Sequence, residues 1–151
     1  SFYEFLSNLS LLEKISIKIN KKIIVKLHPS IYFCENLLKK NYPQLIFSSE
    51  KISNILKKCF VLISFSSTVI EDALCSKVPV ILFDRWKRYK HCESELKPKK
   101  INQPIYYVQS RKDLITCVNT IKKSDNINFE KVCYKGSVKQ NIQKLFNQII
   151  K

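Results

Sequence analysis

Three consecutive hydroxyl side chains, Ser66, Ser67 and Thr68, follow the apolar run FVLIS that starts at Phe60. A helical pattern begins within a few residues of that run, which predicts a strand-to-helix junction at the hydroxyls. The free backbone N–H groups of a helix N-terminus suit a phosphate, and hydroxyl groups add donors that can turn towards anionic oxygens. The segment is therefore a candidate phosphate-binding site.

A purely structural role competes for the same residues. The sequence from Thr68 to Glu71 fits the S/T-x-x-E capping box, in which the Thr hydroxyl caps the helix and the Glu carboxylate accepts from the Thr amide. This role explains Thr68 and Glu71 and leaves Ser66 and Ser67 available for an anion. Glu71 has a second interpretation, because a carboxylate at this end of a sheet can accept the two hydroxyls of a ribose.

The other candidate segment is Lys26-Leu27-His28-Pro29-Ser30. His28 follows the apolar run IIVKL, and Pro29 favours an extended backbone before it. The imidazole can donate to a phosphate or ribose oxygen, or hydrogen-bond a base. It can equally cap the next helix, with Pro29 in the first turn, and spacing alone does not decide between these roles.

Periodicity predicts the elements that position these segments. Apolar runs predict strands at 23–27, 45–47, 60–64, 79–83 and 105–108. Helical patterns predict helices at 2–15, 31–40, 50–58, 68–76, 111–122 and 137–150. The strands are mostly apolar without alternation, which is typical of strands buried on both faces. We therefore expect an α/β fold with an open, Rossmann-like parallel sheet, helices on both faces and ligands at the carboxyl ends of the strands.

Composition limits the class of protein. The chain has 151 residues, 45% of them apolar, which suffices for one core, and its single glycine leaves no flexible linker. We therefore interpret residues 1–151 as one domain. The chain opens inside an amphipathic helical pattern, so we also interpret it as part of a longer two-domain protein. No apolar run is long enough to cross a bilayer and no signal-peptide pattern is present, which predicts a cytoplasmic location.

The net charge of +15 suggests an anionic partner. Only three of the 27 basic residues are Arg. Proteins that recognise specific nucleic-acid bases rely on the bidentate guanidinium group of Arg. We therefore disfavour a nucleic-acid partner and interpret the lysines as a solvated surface. Lys26, Arg85 and Arg88 are candidate contacts for an anionic ligand. The last two lie in a basic connection that also suits the inner face of a membrane.

The sequence contains no recognisable catalytic arrangement. Six cysteines occur without CxxC pairs or a His at metal-finger spacing, and some, including Cys75 and Cys117, fall within helical apolar patterns. We expect buried free thiols and no metal. No nucleophile has a base placed near it, and no carboxylate pair is set up for acid/base chemistry. The catalytic residues stay unknown, and the candidates suit holding a nucleotide.

Taken together, the two segments resemble a known enzyme family. A strand ending in K-x-H-P, a later apolar strand followed by S-S-T-x-x-E, and a strand of the form KxPVIxFD occur here at 24–29, 60–71 and 77–84. This order resembles the C-terminal, nucleotide-binding half of glycosyltransferases with the GT-B fold. The similarity is to bacterial surface-polysaccharide enzymes with CMP- or CDP-activated donors: sialyltransferases and polysialyltransferases, capsule Kdo transferases, and CDP-glycerol glycerophosphotransferases.

The resemblance implies a donor-binding set made of His28, Pro29, Ser66, Ser67, Thr68 and Glu71. In it the imidazole contacts the nucleotide or its phosphate, the proline shapes the turn, the serines hold the phosphate and the carboxylate holds the ribose. The implied function is donor binding in a glycosyltransferase or glycerophosphotransferase of capsule, lipopolysaccharide or teichoic-acid-type synthesis. The donor is a CMP- or CDP-linked substrate, the acceptor is a glycan or lipid-linked glycan, and no cofactor is tightly bound.

Two departures from the family pattern limit this expectation. The residues Ser76-Lys77-Val78-Pro79 replace a segment in which many such transferases carry Gly. The N-terminal domain that binds acceptor and supplies the catalytic carboxylate in those enzymes has no counterpart here, so this chain alone is expected to be inactive. Two alternatives stay open: a nucleotide-sugar 2-epimerase domain, and a non-catalytic module that binds anions or nucleic acid.

Overall fold

The computed structural model describes residues 2–64, 67–88, 95–96, 102–122, 126–129 and 132. In chain order the elements are α1 (Phe2–Ile19), β1 (Ile23–Lys26), a 3₁₀ helix (Pro29–Cys34), α2 (Glu35–Asn41), β2 (Leu45–Ser48), α3 (Ile52–Leu56), β3 (Leu62–Ser64), α4 (Val69–Cys75), β4 (Val80–Phe83), β5 (Glu95–Leu96), β6 (Ile105–Val108) and α5 (Arg111–Lys122). The predicted α/β class is confirmed. The short β5 lies in the connection where no strand was predicted, and the predicted helix at 137–150 lies outside the described residues.

The strand pairs are all parallel, as predicted, but the described strands form two sheets rather than one. One sheet pairs β1 with β2, with Ile23 opposite Leu45. The other has the order β3-β4-β6-β5, with Ile63 opposite Ile81. The break in the hydrogen-bonded ladder therefore falls between β1 and β3.

The centre of the larger sheet is fully buried. Every residue of β4 and β6 is buried, and successive side chains enter two different clusters. Val80 and Leu82 pack with α3 and α4 on one face, whereas Ile81 and Phe83 pack with α1 and α5 on the other. The prediction of strands buried on both faces is confirmed for this pair.

The same prediction is wrong for the remaining long strands. All residues of β1 and β3 are only half-buried, although both strands are mostly apolar. In β2, Leu45 and Phe47 are buried and Ile46 is exposed, so this strand alternates because only one of its faces packs against helices.

Helix α1 spans the break between the two sheets. Leu9 packs in a cluster with Phe47 of the smaller sheet and with Leu27, which follows β1, whereas Ile15 packs with Ile81 of the larger sheet and with α5. The apolar stripe of one helix therefore holds both sheets side by side.

Candidate functional site

A cavity of about 530 Å³ lies between β1 and β3. Its walls are apolar side chains from α1, α3 and α5, namely Leu12, Ile19, Ile52, Ile55, Leu56 and Val118. Lys21, Lys22 and Lys58 line the cavity before the two strands begin, and Lys26, His28, Pro29, Ser64 and Ser67 line it at their carboxyl ends. The fold therefore brings the H-P segment and Ser67 to the mouth of one cavity.

His28 has a local role that fixes its chemistry. Its backbone is extended, Pro29 starts the 3₁₀ helix, and the imidazole Nδ1 accepts a 3.3 Å hydrogen bond from the Ser30 amide. Nδ1 also lies 2.7 Å from the Ser30 hydroxyl. Because Nδ1 is an acceptor, the neutral ring carries its proton on Nε2. The exposed side chain therefore caps a helix through one nitrogen and keeps an N–H donor on the other.

Ser67, not Thr68, caps α4. The Ser67 hydroxyl accepts from the Val69 amide at 3.3 Å, whereas Thr68 makes no side-chain cap hydrogen bond. Thr68 already has helical backbone angles (φ −60°, ψ −16°), and a capping side chain needs an extended backbone. The capping-box prediction for Thr68 and Glu71 is therefore wrong. The Ser67 hydroxyl retains its own proton for donation to a ligand.

Two other members of the predicted donor set lie away from this mouth. Thr68 and Glu71 are exposed and do not line the cavity. Ser66 lies outside the described residues, so its place in the set stays a prediction. Helix α4 has only seven residues. We therefore attribute anion binding at its start to the side chains rather than to the helix dipole.

Of the three predicted basic contacts, only Lys26 lies at the cavity. Its ammonium donates at 3.0 Å to the Leu27 carbonyl and at 3.0 Å to the Tyr32 hydroxyl, and lies 5.2 Å from the centre of the Tyr32 ring. These contacts hold a positive charge beside the rim. Lys26 is thus the candidate cation at the carboxyl ends of the strands.

The other two predicted contacts, Arg85 and Arg88, instead bind side chains of α1. Arg85 donates to the Ser7 hydroxyl at 2.7 Å, and Arg88 pairs with Glu4 at 3.5 Å. Both guanidinium groups also lie over the Trp86 ring, at 5.4 and 5.6 Å from its centre. They do not line the cavity, and their contacts tie the first turns of α1 to the segment after β4.

The sequence reasoning missed a buried polar cluster at the ends of β4 and β6. The Tyr107 hydroxyl donates to the Asp84 carboxylate at 2.7 Å, and the Gln109 amide donates to the Tyr107 oxygen at 2.9 Å. Burial raises the pKa of Tyr107, and its hydrogen bond to Asp84 raises it further. The sequence did contain a signal for this cluster, because Asp84 directly follows a wholly apolar strand. A carboxylate buried at that position needs a hydrogen-bond donor.

The cysteines differ from one another in burial. Cys117 is buried, and burial with the nearby Asp113 charge raises its pKa to about 12. Cys75 is exposed, so its predicted burial is wrong: it lies off the α4 face that buries Ala73 and Leu74. Four cysteines of the described part are free thiols. Nowhere in that part do three His, Cys, Asp or Glu side chains group to hold a metal ion.

Among the described residues, no helix has the length and apolar character needed to span a membrane.

Comparison with known proteins identifies the family. Searches of curated proteins and of solved structures found no match. A family model described as LIC12162 family transferase matches residues 3–99, which include both strands that border the cavity. The match covers well over half of the sequence, so the chain belongs to the LIC12162 family of transferases.

Proposed function

We propose that this chain is the donor-binding domain of a nucleotide-dependent glycosyltransferase or glycerophosphotransferase of bacterial surface-polysaccharide synthesis, such as capsule, lipopolysaccharide or teichoic acid. The observation that carries the proposal is the convergence of His28 and Ser67 at the mouth of one cavity. Both residues follow the carboxyl ends of parallel strands, where open α/β sheets bind their ligands. Membership of a transferase family supports the reaction class.

The chemistry of the mouth suits a departing nucleotide. The bond that breaks joins the nucleotide phosphate to the transferred sugar or, in a glycerophosphotransferase, to the transferred glycerol phosphate. As it breaks, negative charge grows on the phosphate oxygens of the departing nucleotide. The His28 Nε2–H and the Ser67 hydroxyl donate to those oxygens, and the Lys26 ammonium adds positive charge. Donors that are already positioned stabilise such charge strongly. These residues bind and orient the donor, and the base that activates the acceptor comes from another part of the protein.

The remaining features of the proposal follow from charge. A CMP- or CDP-linked donor is an anionic substrate, and a net charge of +15 favours anionic donors and glycan or lipid-linked acceptors. We place the reaction on the cytoplasmic side, with the Lys-rich surface facing the anionic inner leaflet.

The test is thermal stabilisation of the full-length protein by CMP and CDP. Ligand at 100 times its dissociation constant adds about 2.7 kcal/mol to the free energy of unfolding. The ligand-dependent shift should vanish in His28→Asn, because Asn can still accept from the Ser30 amide but lacks the Nε2–H donor. It should weaken in Ser67→Ala and stay unchanged in the neighbouring control Thr68→Ala.

A second outcome would favour the anion-binding module instead. If inorganic polyphosphate stabilises the protein as well as CDP does, and salt removes both effects equally in all variants, the binding is electrostatic and the donor-site proposal is wrong.

A further inference from the structure

The exposed aromatic side chains are concentrated at one edge of the molecule. In the part of the chain that the structure describes, the exposed aromatic residues are Tyr3, Phe33, Phe60 and Trp86. Phe60 precedes β3 at the amino edge of the sheets, whereas the other three lie at the carboxyl edge. We propose that the carboxyl edge is a docking surface for an anionic lipid bilayer, in which Phe33 and Trp86 enter the head-group region. The proposal rests on the proposed function for its inner-leaflet location, and it names the surface that faces the lipid.

Contacts of α1 connect the two segments that carry Phe33 and Trp86. The 3₁₀ helix with Phe33 directly follows β1, and Trp86 follows the carboxyl end of β4. Leu9 of α1 packs in one cluster with residues of the 3₁₀ helix. Ser7 of α1 accepts the hydrogen bond from Arg85, which is next to Trp86 in sequence. The first half of α1 therefore bridges the two segments at the carboxyl edge.

Phe33 has the clearest exposure of the three aromatic residues. Its side chain is 84% exposed, whereas its neighbours Ile31 and Tyr32 pack against the cluster of the smaller sheet. Tyr3 is 78% exposed at the start of α1. A single exposed apolar residue is common, but apolar side chains that share one surface mark an interaction site. Their shared edge is therefore the observation that requires a partner.

The residues around Trp86 give this edge a positive charge. The guanidinium groups of Arg85 and Arg88 lie 5.4 and 5.6 Å from the centre of the Trp86 ring. Lys87, between them in sequence, is exposed. Arg88 is paired with Glu4, whereas Arg85 donates to an uncharged hydroxyl. Arg85 and Lys87 therefore make the surface around the exposed ring basic.

A bilayer fits this combination better than a nucleic acid does. Trp and Tyr have an apolar body and a polar tip, which favours them at the level of the lipid head groups. Basic side chains beside them attract anionic lipid. A nucleic acid would stack a base on the face of the Trp86 ring, but guanidinium groups already lie over that ring. Anionic lipid is therefore the partner that we assign to this surface.

The docking surface and the cavity mouth with His28 and Ser67 share the carboxyl edge of the sheets. Docking would therefore turn the mouth that binds the donor towards the bilayer. The head group of a lipid-linked acceptor lies at the bilayer surface, so acceptor and donor would meet at this edge.

Binding to vesicles of phosphatidylglycerol and phosphatidylcholine tests the proposal. Trp86 is the single tryptophan of the sequence, so its fluorescence reports on this surface directly. Vesicle binding should shift the Trp86 emission to shorter wavelength, and brominated lipid should quench it. Vesicles of phosphatidylcholine alone should bind at least about fivefold more weakly, because each basic residue near an anionic surface contributes about that factor. Absence of binding, or binding without quenching of Trp86, would overturn the proposal.

Matched variants at the two edges locate the contact. Phe33→Ala should weaken vesicle binding about tenfold, and Lys87→Gln about fivefold. Phe60 and Lys57 are the controls, since both are exposed and lie just before β3 at the amino edge. Phe60→Ala and Lys57→Gln should leave the vesicle affinity unchanged. Equal losses at the two edges would show that the carboxyl edge is not the docking surface.

The response to CDP in the same protein separates this proposal from the donor site. Vesicle binding that depends on Phe33 and Lys87, without thermal stabilisation by CDP, supports the docking surface and contradicts the donor site alone. Stabilisation by CDP without vesicle binding contradicts the docking surface alone. An oligonucleotide that shifts the Trp86 emission of a protein that does not bind the vesicles would also overturn the proposal.

Discussion

Strands β4 and β6 at the centre of the larger sheet and strands β1 and β3 beside the cavity have similarly apolar sequences and very different surroundings. All four strands are short, mostly apolar and parallel to their neighbours. Every residue of β4 and β6 is buried, whereas every residue of β1 and β3 is half-buried. The difference lies in their edges: β4 lies between β3 and β6, and β6 lies between β4 and β5, whereas β1 and β3 each border the cavity. Apolar sequence predicts a strand, and neighbours on both edges decide its burial.

The largest effect should come from truncating opposite residues of the two regions. Ile81 and Ile63 lie opposite each other in register, and only Ile81 is fully buried. In residues 1–151, Ile81→Ala should lower the free energy of unfolding by about 2–5 kcal/mol, and Ile63→Ala by less than half of that. Urea denaturation measures both. Equal losses of stability in the two variants would contradict the difference in burial between these two positions.

The buried cluster at the ends of β4 and β6 should give the next largest effect. Tyr107→Phe removes the donor to the buried Asp84 carboxylate and should cost about 1–3 kcal/mol at neutral pH. Because folding raises the pKa of Tyr107, the Tyr107 contribution is present below pH 10 and is lost as pH rises through the folded pKa. The stability gap between wild type and Tyr107→Phe should therefore narrow above pH 10. Chemical denaturation across this range measures it, and the exposed Tyr3→Phe is the control.

A smaller effect should separate the two hydroxyls that follow β3. Ser67→Ala removes the cap of α4 and should cost about 0.5–2 kcal/mol, whereas Thr68→Ala should leave the free energy of unfolding almost unchanged. Thermal unfolding of both variants measures the difference. A larger loss of stability in Thr68→Ala than in Ser67→Ala would contradict the observed Ser67 cap and support the Thr68–Glu71 capping box.

The smallest effect should come from the helix ends that lead into the two regions. Lys77 ends α4 before β4 with φ 57°, and Asn20 ends α1 before β1 with φ 50°. The left-handed region is costly for Lys and tolerated by Asn. Lys77→Gly should therefore raise the free energy of unfolding by about 0.5–1 kcal/mol, and Asn20→Gly by less. Thermal unfolding checks this, and a loss of stability in Lys77→Gly would show that the Lys side chain has a compensating contact.

Much of the fold could be predicted because its signals are local. The runs IIVKL and PVILF predicted β1 and β4, and the patterns at 68–76 and 111–122 predicted α4 and α5, all within a few residues. Helix α1 ends at Ile19 rather than at 15, since the turn at Asn20 and not the apolar stripe terminates it. The short β5 was missed because it pairs only with β6, a partner distant in sequence.

The candidate site was predicted less completely. His28 and Ser67 meet at one cavity as the order of strand ends suggested, but the cap of α4 depends on the backbone angles of Thr68, which a four-residue motif does not report. Arg85 and Arg88 were candidate ligands by charge alone, and their contacts with α1 connect positions far apart in sequence.

The sequence by itself determined where most of the strands and helices form, that the strands run parallel, and which polar residues follow the strand ends. These properties depend on periodicity and turn chemistry over a few residues. Only the tertiary structure decided which strand edges border a cavity, which hydroxyl caps α4, and that the Tyr107 hydroxyl reaches the Asp84 carboxylate. Each of these depends on contacts between residues far apart in the chain or on individual backbone angles, which local patterns do not encode.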